Sequence, residues 1–588
     1  MENKLNDMRH SCSHLLAAAI LKLYPNTKLG IGPVIENGFY YDFQFENPIS
    51  EEDLSEIEEE MRKIKGQNLH IKKTEHSIEE AKRLEENQPF KAQLIEDLEK
   101  DGKKTVSFYT MGDFSDLCEG GHLDNTKEIG PFKLTSIAGA YWKGSEKNPM
   151  LTRIYGTCFP TQKELDEHLA LLEEAKKRDH RKIGKDLELF TFSDLVGKGL
   201  PLLTHKGATI RRELERFIVD EELKRGYLHV ITPPLAKVDL YKVSGHYPYY
   251  KDTMYPPMKV DEEELILRPM TCPHHFMLYK SQPHSYRELP IKYAELASQF
   301  RYEKSGELTG LMRVRMFTLS DAHIFARLEQ AKKVIEEVLD LIDYVNKVLG
   351  LEKGKDYKYR LSLGDRNNEK KYYKDDAAWN KAESILREVL KETNAQYFYE
   401  AANEAAFYGP KIDVQVKNVI GKEETAFTVQ YDFVLPKRFK LTYTDENGKE
   451  QEPVVVHRSS LGAFERIMAF LIEKYKGAFP LWLSPIQAVV IPISEKNLNF
   501  AQKVDKMLKN AGIRSQIDDR DERMQAKIRE ATLQKVPYLC IIGNKEQEDS
   551  EKDNAQYVCL RKRSSEDLGR TEVSSLINKL KEEIENRL

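Results

Sequence analysis

The sequence predicts a multidomain protein of the α+β and α/β classes, and three observations carry that expectation. The chain has 588 residues, room for about four domains at ~150 residues each. Hydrophobic residues make up 40% and charged residues 32%, a composition of folded domains with ample cores rather than of disorder. Third, the pattern changes along the chain. Irregular strand-rich blocks give way after Trp482 to regular alternation of short strands and helices, the mark of a sheet covered by helices.

The elements follow in order. "RHSCSHLLAAA" (9–19) opens an apolar run that reads as a helix over 10–24. "GPVIENGFYYDFQF" (32–45) alternates around Gly38 and reads as a hairpin edge. "ISEEDLSEIEEEMRKIKGQNL" (49–69) is an amphipathic helix with Leu54, Ile57, Met61 and Ile64 on one face; its acidic run is a solvated face. Short β-like segments broken by glycines fill 106–159. Thr161 is a plausible N-cap for a helix with Leu165, Leu169 and Leu172 in register, which ends in the basic junction "KKRDHRKIGK" (176–185). The next block is strand-rich, interrupted at Pro233 and Pro234, with helices at 328–349 and 461–475. "IQAVVIPI", "NLNFAQKVDKMLKNAG" and "PYLCIIG" then alternate strand and helix. These changes divide the chain into domains 1–180, 181–480 and 481–588.

Composition excludes several classes. No apolar run approaches the ~18 residues of a membrane span, and "MENKLNDMRHS" has no signal-peptide pattern. The expectation is a cytoplasmic protein with no membrane partner. Six scattered cysteines, with no close pair, read as reduced thiols or metal ligands rather than a disulfide frame. A net charge of −5 gives no global pull toward nucleic acid, so RNA binding requires local basic patches.

Three stretches bear chemistry. His10 and His14 lie one helical turn apart and share a face. Zinc proteases use that spacing with a glutamate after the first histidine, where this chain has Ser11. A metal site, a catalytic pocket and a polar helix face all remain open on spacing alone. "QFRYEKSGELTGLMRVRMFTLSDAHIF" (299–325) reads as strand, glycine-punctuated loop, strand, with Arg301 and Glu303 sharing one face and Arg313 and Arg315 another. Clustered arginines suit bidentate grip on phosphates; the plain alternative is a charged surface hairpin. In "VVVHRSSLGAFERIMAFLIEKY" (454–475) a β-branched strand ends at His457 and a helix starts near Leu461, placing Arg466 early in that helix.

Pro233 in "VITPPL", the "FRYEKSG…RVRMF" hairpin and the "G-x-x-E-R" helix resemble the three signature motifs of class II aminoacyl-tRNA synthetases. "LRPMTCPHH", "LMRVRMFTLSDAHIF", "FYGPKID" and "VVVHRSSLGAFERIMAFLIE" are similar to the threonyl-tRNA synthetase family, and the resemblance runs from about Met8 to the C-terminus. It implies an antiparallel catalytic core at 181–480, an α+β editing domain with a linker helix at 1–180, and an α/β anticodon-binding domain at 481–588. It also implies ATP-dependent attachment of L-threonine to tRNA(Thr) through an adenylate, by a homodimer. In the family, positions matching Cys272, His323 and His457 hold one Zn2+ per subunit, a soft thiolate and two imidazoles with one position open. An open zinc that binds the substrate hydroxyl rejects valine but admits serine. A missing methyl is worth only about 1–3 kcal/mol, so the resemblance implies a second, hydrolytic site for seryl-tRNA(Thr).

That site would be His10, His14, Asp116, Cys118 and His122. For ATP the resemblance implies Arg301 on the α-phosphate, Glu303 on the adenine amine, Phe317 stacked on adenine, and Arg313 and Arg466 on the γ-phosphate, with Mg2+ bridging the phosphates. Lys411 would neutralise charge near the reacting carboxylate; Asp321, Tyr408 and Gln430 would hold the threonine. Arg529, Glu546 and Arg561 match base-reading positions of the anticodon module. The plain alternative for Arg561, with Lys562 and Arg563, is phosphate binding only. Departures from the family pattern are His274, Leu319 and Thr425. Many members begin with a small ubiquitin-like domain, which this sequence is expected to lack. Two rival readings are a synthetase-like RNA-binding regulator without catalysis and a class II enzyme for serine or proline. The intact arginines argue against the first, and the Cys272, His323, His457 set against both.

Overall fold

The computed structural model describes residues 2–145, 147–394 and 396–588. They form two compact units, Met1–Glu173 and Glu174–Leu588.

In the first unit the N-terminal helix spans Glu2–Leu23. It starts before the apolar run because Leu5 and Met8 already pack into the core. Its small residues Ala17 and Ala19 are fully buried, which lets the helix approach both the helix Leu54–Gly66 and the sheet. That antiparallel sheet runs Lys28–Leu29, Gly38–Gln44, Met150–Cys158, Phe132–Tyr141, with Val34–Ile35 hairpinned onto the second strand. A smaller sheet of Ile71–Ser77, Thr105–Met111 and Phe114–Leu117 ends at the loop carrying Cys118 and His122. Thr161 caps its helix as expected: Glu164 N–H donates to Thr161 Oγ1, while Thr161 N–H donates back to the Glu164 carboxylate at 3.0 Å.

The second unit is built on an eight-stranded sheet. Its order is Leu228–His229, Ile291–Phe300, Met316–Ala326, Val454–Ala463, Glu423–Asp432, Lys411–Lys417, Tyr357–Ser362, Phe398–Ala401. The six central strands are antiparallel and the two edge strands join in parallel. Helix Ala331–Val348 covers the sheet with Val334, Val338, Leu341 and Val345, a stripe at helical spacing.

Two element boundaries differ from expectation. The arms of the arginine hairpin stop at Phe300 and resume at Met316, so Arg301, Arg313 and Arg315 lie in the connecting loop and not on strands. The strand expected to end at His457 runs to Ala463, and the helix spans Phe464–Tyr475. Ser459 and Ser460 look like strand terminators in sequence but are buried between two neighbouring strands, whose ladders override local propensity.

At the C-terminal end a second sheet runs Ser515–Ile517, Ala488–Pro492, Tyr538–Ile542, Tyr557–Lys562, Asp567–Glu572. Its first three strands are parallel and its last two antiparallel. No helix among the described residues is long and apolar enough to cross a membrane.

Candidate active site

Strand register assembles the centre of the second unit. His323 pairs with His457, His457 with Gln430, and Gln430 with Lys411. Residues directly opposite one another across a sheet share a face, so four strands present one row of side chains. Cys272 enters from the start of the helix Cys272–Lys280. The donor atoms of Cys272, His323 and His457 lie within 4.8 Å of one another, and all three residues are buried.

The far side of each imidazole is tied down. His457 Nε2 donates to Asp432 Oδ2 at 2.8 Å. His323 Nδ1 meets His275 Nδ1 at 2.9 Å, and His275 Nε2 meets Glu295 at 3.1 Å. Arg268 and Thr232 engage Glu295 in turn. Each ligand-like ring therefore has one nitrogen backed by a carboxylate, directly or through one imidazole, and the other free to bind. Burial beside Asp321 and Asp432 pushes the Cys272 thiol well up, so a thiolate there needs a cation. A soft donor, two oriented imidazoles and that electrostatic demand fit Zn2+.

Around this triad stand the expected amino-acid contacts. The Tyr408 ring stacks on His457 at 5.1 Å, and its hydroxyl donates to Gln430. Asp321 accepts from Gln299 at 3.3 Å. Lys411 pairs with Asp413 at 2.9 Å. Sequence reasoning missed His246, whose Nε2 is 4.0 Å from Cys272 Sγ. It missed the Asp432, His275 and Glu295 supports too. No spacing rule points to them, because register and not sequence distance brings them in.

The arginines converge despite leaving the strands. Arg301 sits over the Phe317 ring at 5.0 Å, and its buried Nε has no hydrogen-bond partner. A guanidinium with one N–H shut away from solvent and unspent among the described residues is a costly arrangement that an anion relieves. Arg313 donates to Glu303 Oε2 at 2.8 Å, and Arg315 donates to the Glu303 carbonyl at 3.0 Å. Arg466 reaches the carbonyls of Met312 and Thr425 at 3.2 and 3.1 Å.

Of the departures, Thr425 thus serves Arg466 through its backbone, while its hydroxyl accepts from Gln415. Both ring nitrogens of His274 are buried without a partner, and burial lowers its pKa to about 4. Leu319 lies between Ala297 and Ala463 in the ladder.

In the first unit, His10, His14, Cys118 and His122 also come within 4.8 Å of one another. Gly120 and Gly121, at φ 144° and 77°, turn the loop so that Cys118 and His122 face each other. A Cβ at Gly121 would sit 2.8 Å from Asp7 Oδ1. His10 Nε2 and His122 Nε2 lie 3.4 and 3.3 Å from Cys118 Sγ. His10 Nδ1 donates to the Gly121 carbonyl at 3.2 Å, and His122 Nδ1 meets Ser11 Oγ at 3.3 Å. Asp116 is buried between Lys91 at 2.5 Å and the Tyr41 hydroxyl at 2.5 Å, with His14 Nε2 at 3.7 Å. Burial lowers the pKa of His10 and His14, takes His122 down to about 2, and pushes the Cys118 thiol up to about 11. The imidazoles are neutral. Lys91, Tyr41 and Glu85, whose pKa burial and Asp116 raise to about 7, had no signal in sequence.

The anticodon candidates are less concentrated. Arg529 is exposed on the helix Met524–Leu533. Glu546 accepts the Gly543 N–H, capping the helix Asn544–Asp553. Arg561 lies 3.4 Å from Asp567. Arg563 is held by the carbonyls of Phe479 and Lys535, so its guanidinium has a structural role beside any phosphate contact.

Comparison with known proteins now places the chain. Residues 253–475 match the tRNA synthetase class II core domain (G, H, P, S and T). Residues 487–583 match an anticodon binding domain, and 106–155 the threonyl and alanyl tRNA synthetase second additional domain. These define a class II synthetase that carries an editing-type domain. Threonine--tRNA ligase from Geobacillus sp. (strain WCH70) is 54% identical over 93% of this chain and 84% of its own length. That from Staphylococcus aureus (strain JH9) is 52% identical over 95% and 86%. The RNA binding domain of threonyl-tRNA synthetase from Cryptosporidium parvum Iowa II superposes with a TM-score of 0.64 at 35% identity, over 69% of this chain and 98% of that one. The chain belongs to the threonine--tRNA ligase family.

Proposed function

We propose that the chain converts L-threonine and ATP to threonyl-adenylate and pyrophosphate, transfers the threonyl group to tRNA(Thr) with release of AMP, and hydrolyses seryl-tRNA(Thr) in its first unit. The observation that carries this reading is the register row His323, His457, Gln430, Lys411, set beside Arg301, whose buried Nε is left without a hydrogen-bond partner among the described residues. An amino-acid site on the sheet adjoins an anion site in the loop that joins two of its strands. Asp321, Tyr408 and Gln430 hold the amino acid, and Lys411 offsets charge at its carboxylate. That carboxylate attacks the α-phosphate, and pyrophosphate leaves. Arg301 compensates the α-phosphate, while Arg313 and Arg466 take the γ-phosphate; Mg2+ carried by the nucleotide would add further charge compensation there. Phe317 and Glu303 hold the adenine. The rate enhancement is positioning and charge compensation. Cys272, His323 and His457 hold one Zn2+ per subunit, which when bound supplies an electrophilic centre for the amino and hydroxyl groups of threonine.

In the domain scheme, 1–180 edits, 181–480 activates and 481–588 reads the anticodon, with Arg529, Glu546 and Arg561 at bases. His10, His14, Cys118 and His122 orient water and move its proton, with Asp116 fixing the pocket. The enzyme works in the cytoplasm as a homodimer. Support for the dimer is the exposure of Leu195 (100%) and Ile231 (97%), with Leu228 and Leu235 also exposed, apolar side chains that an interface would cover. Pyrophosphate exchange with each of the twenty amino acids tests the reading. Threonine gives the fastest exchange, serine a weaker one, and Arg301→Ala lowers the threonine rate by at least about 100-fold. No amino-acid-dependent exchange would leave an RNA-binding regulator instead.

A further inference from the structure

His180 lies in the basic junction 176–185, outside the signature motifs, yet it touches two of them. It opens the helix His180–Asp186 and is only 2% exposed. Its Nδ1 lies 2.7 Å from Glu473 Oε1. A carboxylate accepts only, so Nδ1 carries the proton and Nε2 keeps a lone pair. That lone pair accepts the Leu311 N–H at 3.1 Å.

Leu311 sits in the tight turn Thr309–Arg313, which is closed by paired bonds between the N–H and carbonyl groups of Thr309 and Arg313, each at 3.2 Å. Gly310 at its apex has φ 46°, and a Cβ there would fall 2.2 Å from His180 Nε2, so the turn and the imidazole are fitted to each other. The next carbonyl, Met312, is held by Arg466. Arg466 and Glu473 are seven residues apart on the helix Phe464–Tyr475, two turns along one face. One face of that helix therefore grips the turn twice, directly through Arg466 and through His180 from Glu473.

We infer that His180 is a positioning residue for ATP: it fixes the turn from which Arg313 projects. The inference rests on the proposed role of the arginines at the phosphates. Arg313 itself is half exposed, and its guanidinium donates to Glu303 at 2.8 Å, so its aim is set by that carboxylate and by the backbone turn beneath it. Losing one of the two grips leaves the turn attached and loose.

The test is pyrophosphate exchange on the full-length protein at saturating threonine and varied ATP, then the reverse. His180→Ala raises the KM for ATP by about tenfold, the scale of one lost buried hydrogen bond, and leaves the KM for threonine within twofold. His180→Gln, whose side-chain oxygen can still accept from Leu311, recovers part of the ATP effect. Amide hydrogen exchange of the segment 308–314 speeds up in His180→Ala and less in His180→Gln. An ATP KM within twofold of the parent in a folded His180→Ala protein overturns the inference. So do equal rises for ATP and threonine, which indicate a general loosening of the core. Arg301→Ala separates the two claims: if it leaves exchange intact, the phosphate reading fails; if it abolishes exchange while His180→Ala does nothing, only the relay fails.

Discussion

Two clusters in this chain use the same side chains and are wired differently. Around Cys272, each imidazole spends one nitrogen on a support that ends in a carboxylate, Asp432 or His275–Glu295. Around Cys118, His10 and His122 spend both nitrogens within the pocket, on the thiol, on the Gly121 carbonyl and on Ser11. Of the carboxylates nearby, Asp116 is taken up by Lys91 and Tyr41, with His14 Nε2 at 3.7 Å. Ligand identity and spacing alone pass both clusters as metal sites. The outer partners separate them: carboxylate-backed imidazoles are set to hold a cation, while neutral imidazoles bonded to a thiol and to hydroxyl or carbonyl oxygen are set to handle protons.

Four measurements sharpen or break that contrast. The largest effect belongs to Cys272→Ala. Elemental analysis finds zinc falling from about one equivalent toward none, and threonine activation drops by about three orders of magnitude. An active preparation without zinc removes one side of the comparison. Next is the double substitution His10→Ala, His14→Ala, which lowers deacylation of seryl-tRNA(Thr) by at least about 100-fold and leaves zinc content and threonine charging unchanged. A second zinc equivalent lost in this variant would make the two clusters alike.

Asp432→Asn follows, with zinc affinity weakened by about 10- to 100-fold in a chelator competition. The smallest effect is one of pH. The folded-state pKa values of His10, His14 and His122 are lowered, that of His122 to about 2. Acidification from pH 8 to 6 therefore leaves His14 and His122 neutral in the native pocket, and the part of seryl-tRNA deacylation that depends on them stays flat over that range. An imidazole at the usual ~6.5 would lose about three-quarters of its neutral form by pH 6. The unfolded chain does take up those protons below ~6.5, so the same burial makes the first unit less stable as pH falls through that value. A steep fall in deacylation near pH 6.5 would place a normally titrating histidine in the mechanism.

The sequence made the fold legible wherever a pattern is local. The amphipathic stripes of 54–64 and 331–348, the Thr161 cap and the alternation after Trp482 all depend on neighbours within a turn or a strand. Strand ends were read less well. Arg301 and Arg313 look like strand residues by alternation, but the ladder that would extend them has stopped. Ser459 and Ser460 look like a break, but Ser459 is paired on both sides and the ladder to Met316–Ala326 resumes past a bulge at Ala463. For the site, residue types were readable through family resemblance, while the supports were not. Lys91, Tyr41, Glu295 and His180 reach their partners across 25, 75, 20 and 293 residues of chain, in the bonds to Asp116, Asp116, His275 and Glu473. Only tertiary structure closes those distances.

The register row has a consequence for how such a site can change. Side chains on a strand alternate between faces, so a one-residue slip in any of the four strands turns its contribution away from the pocket entirely. A single insertion or deletion between Met316 and Ala326 cannot weaken the site by degrees; it removes His323 from the row unless a bulge absorbs the extra step. Such bulges already exist, between Leu319 and Asp321 and between Val414 and Gln415, each within a few residues of a row member. They mark where the ladder tolerates a change of count. Variation in chain length is therefore permitted beside the row and forbidden within it.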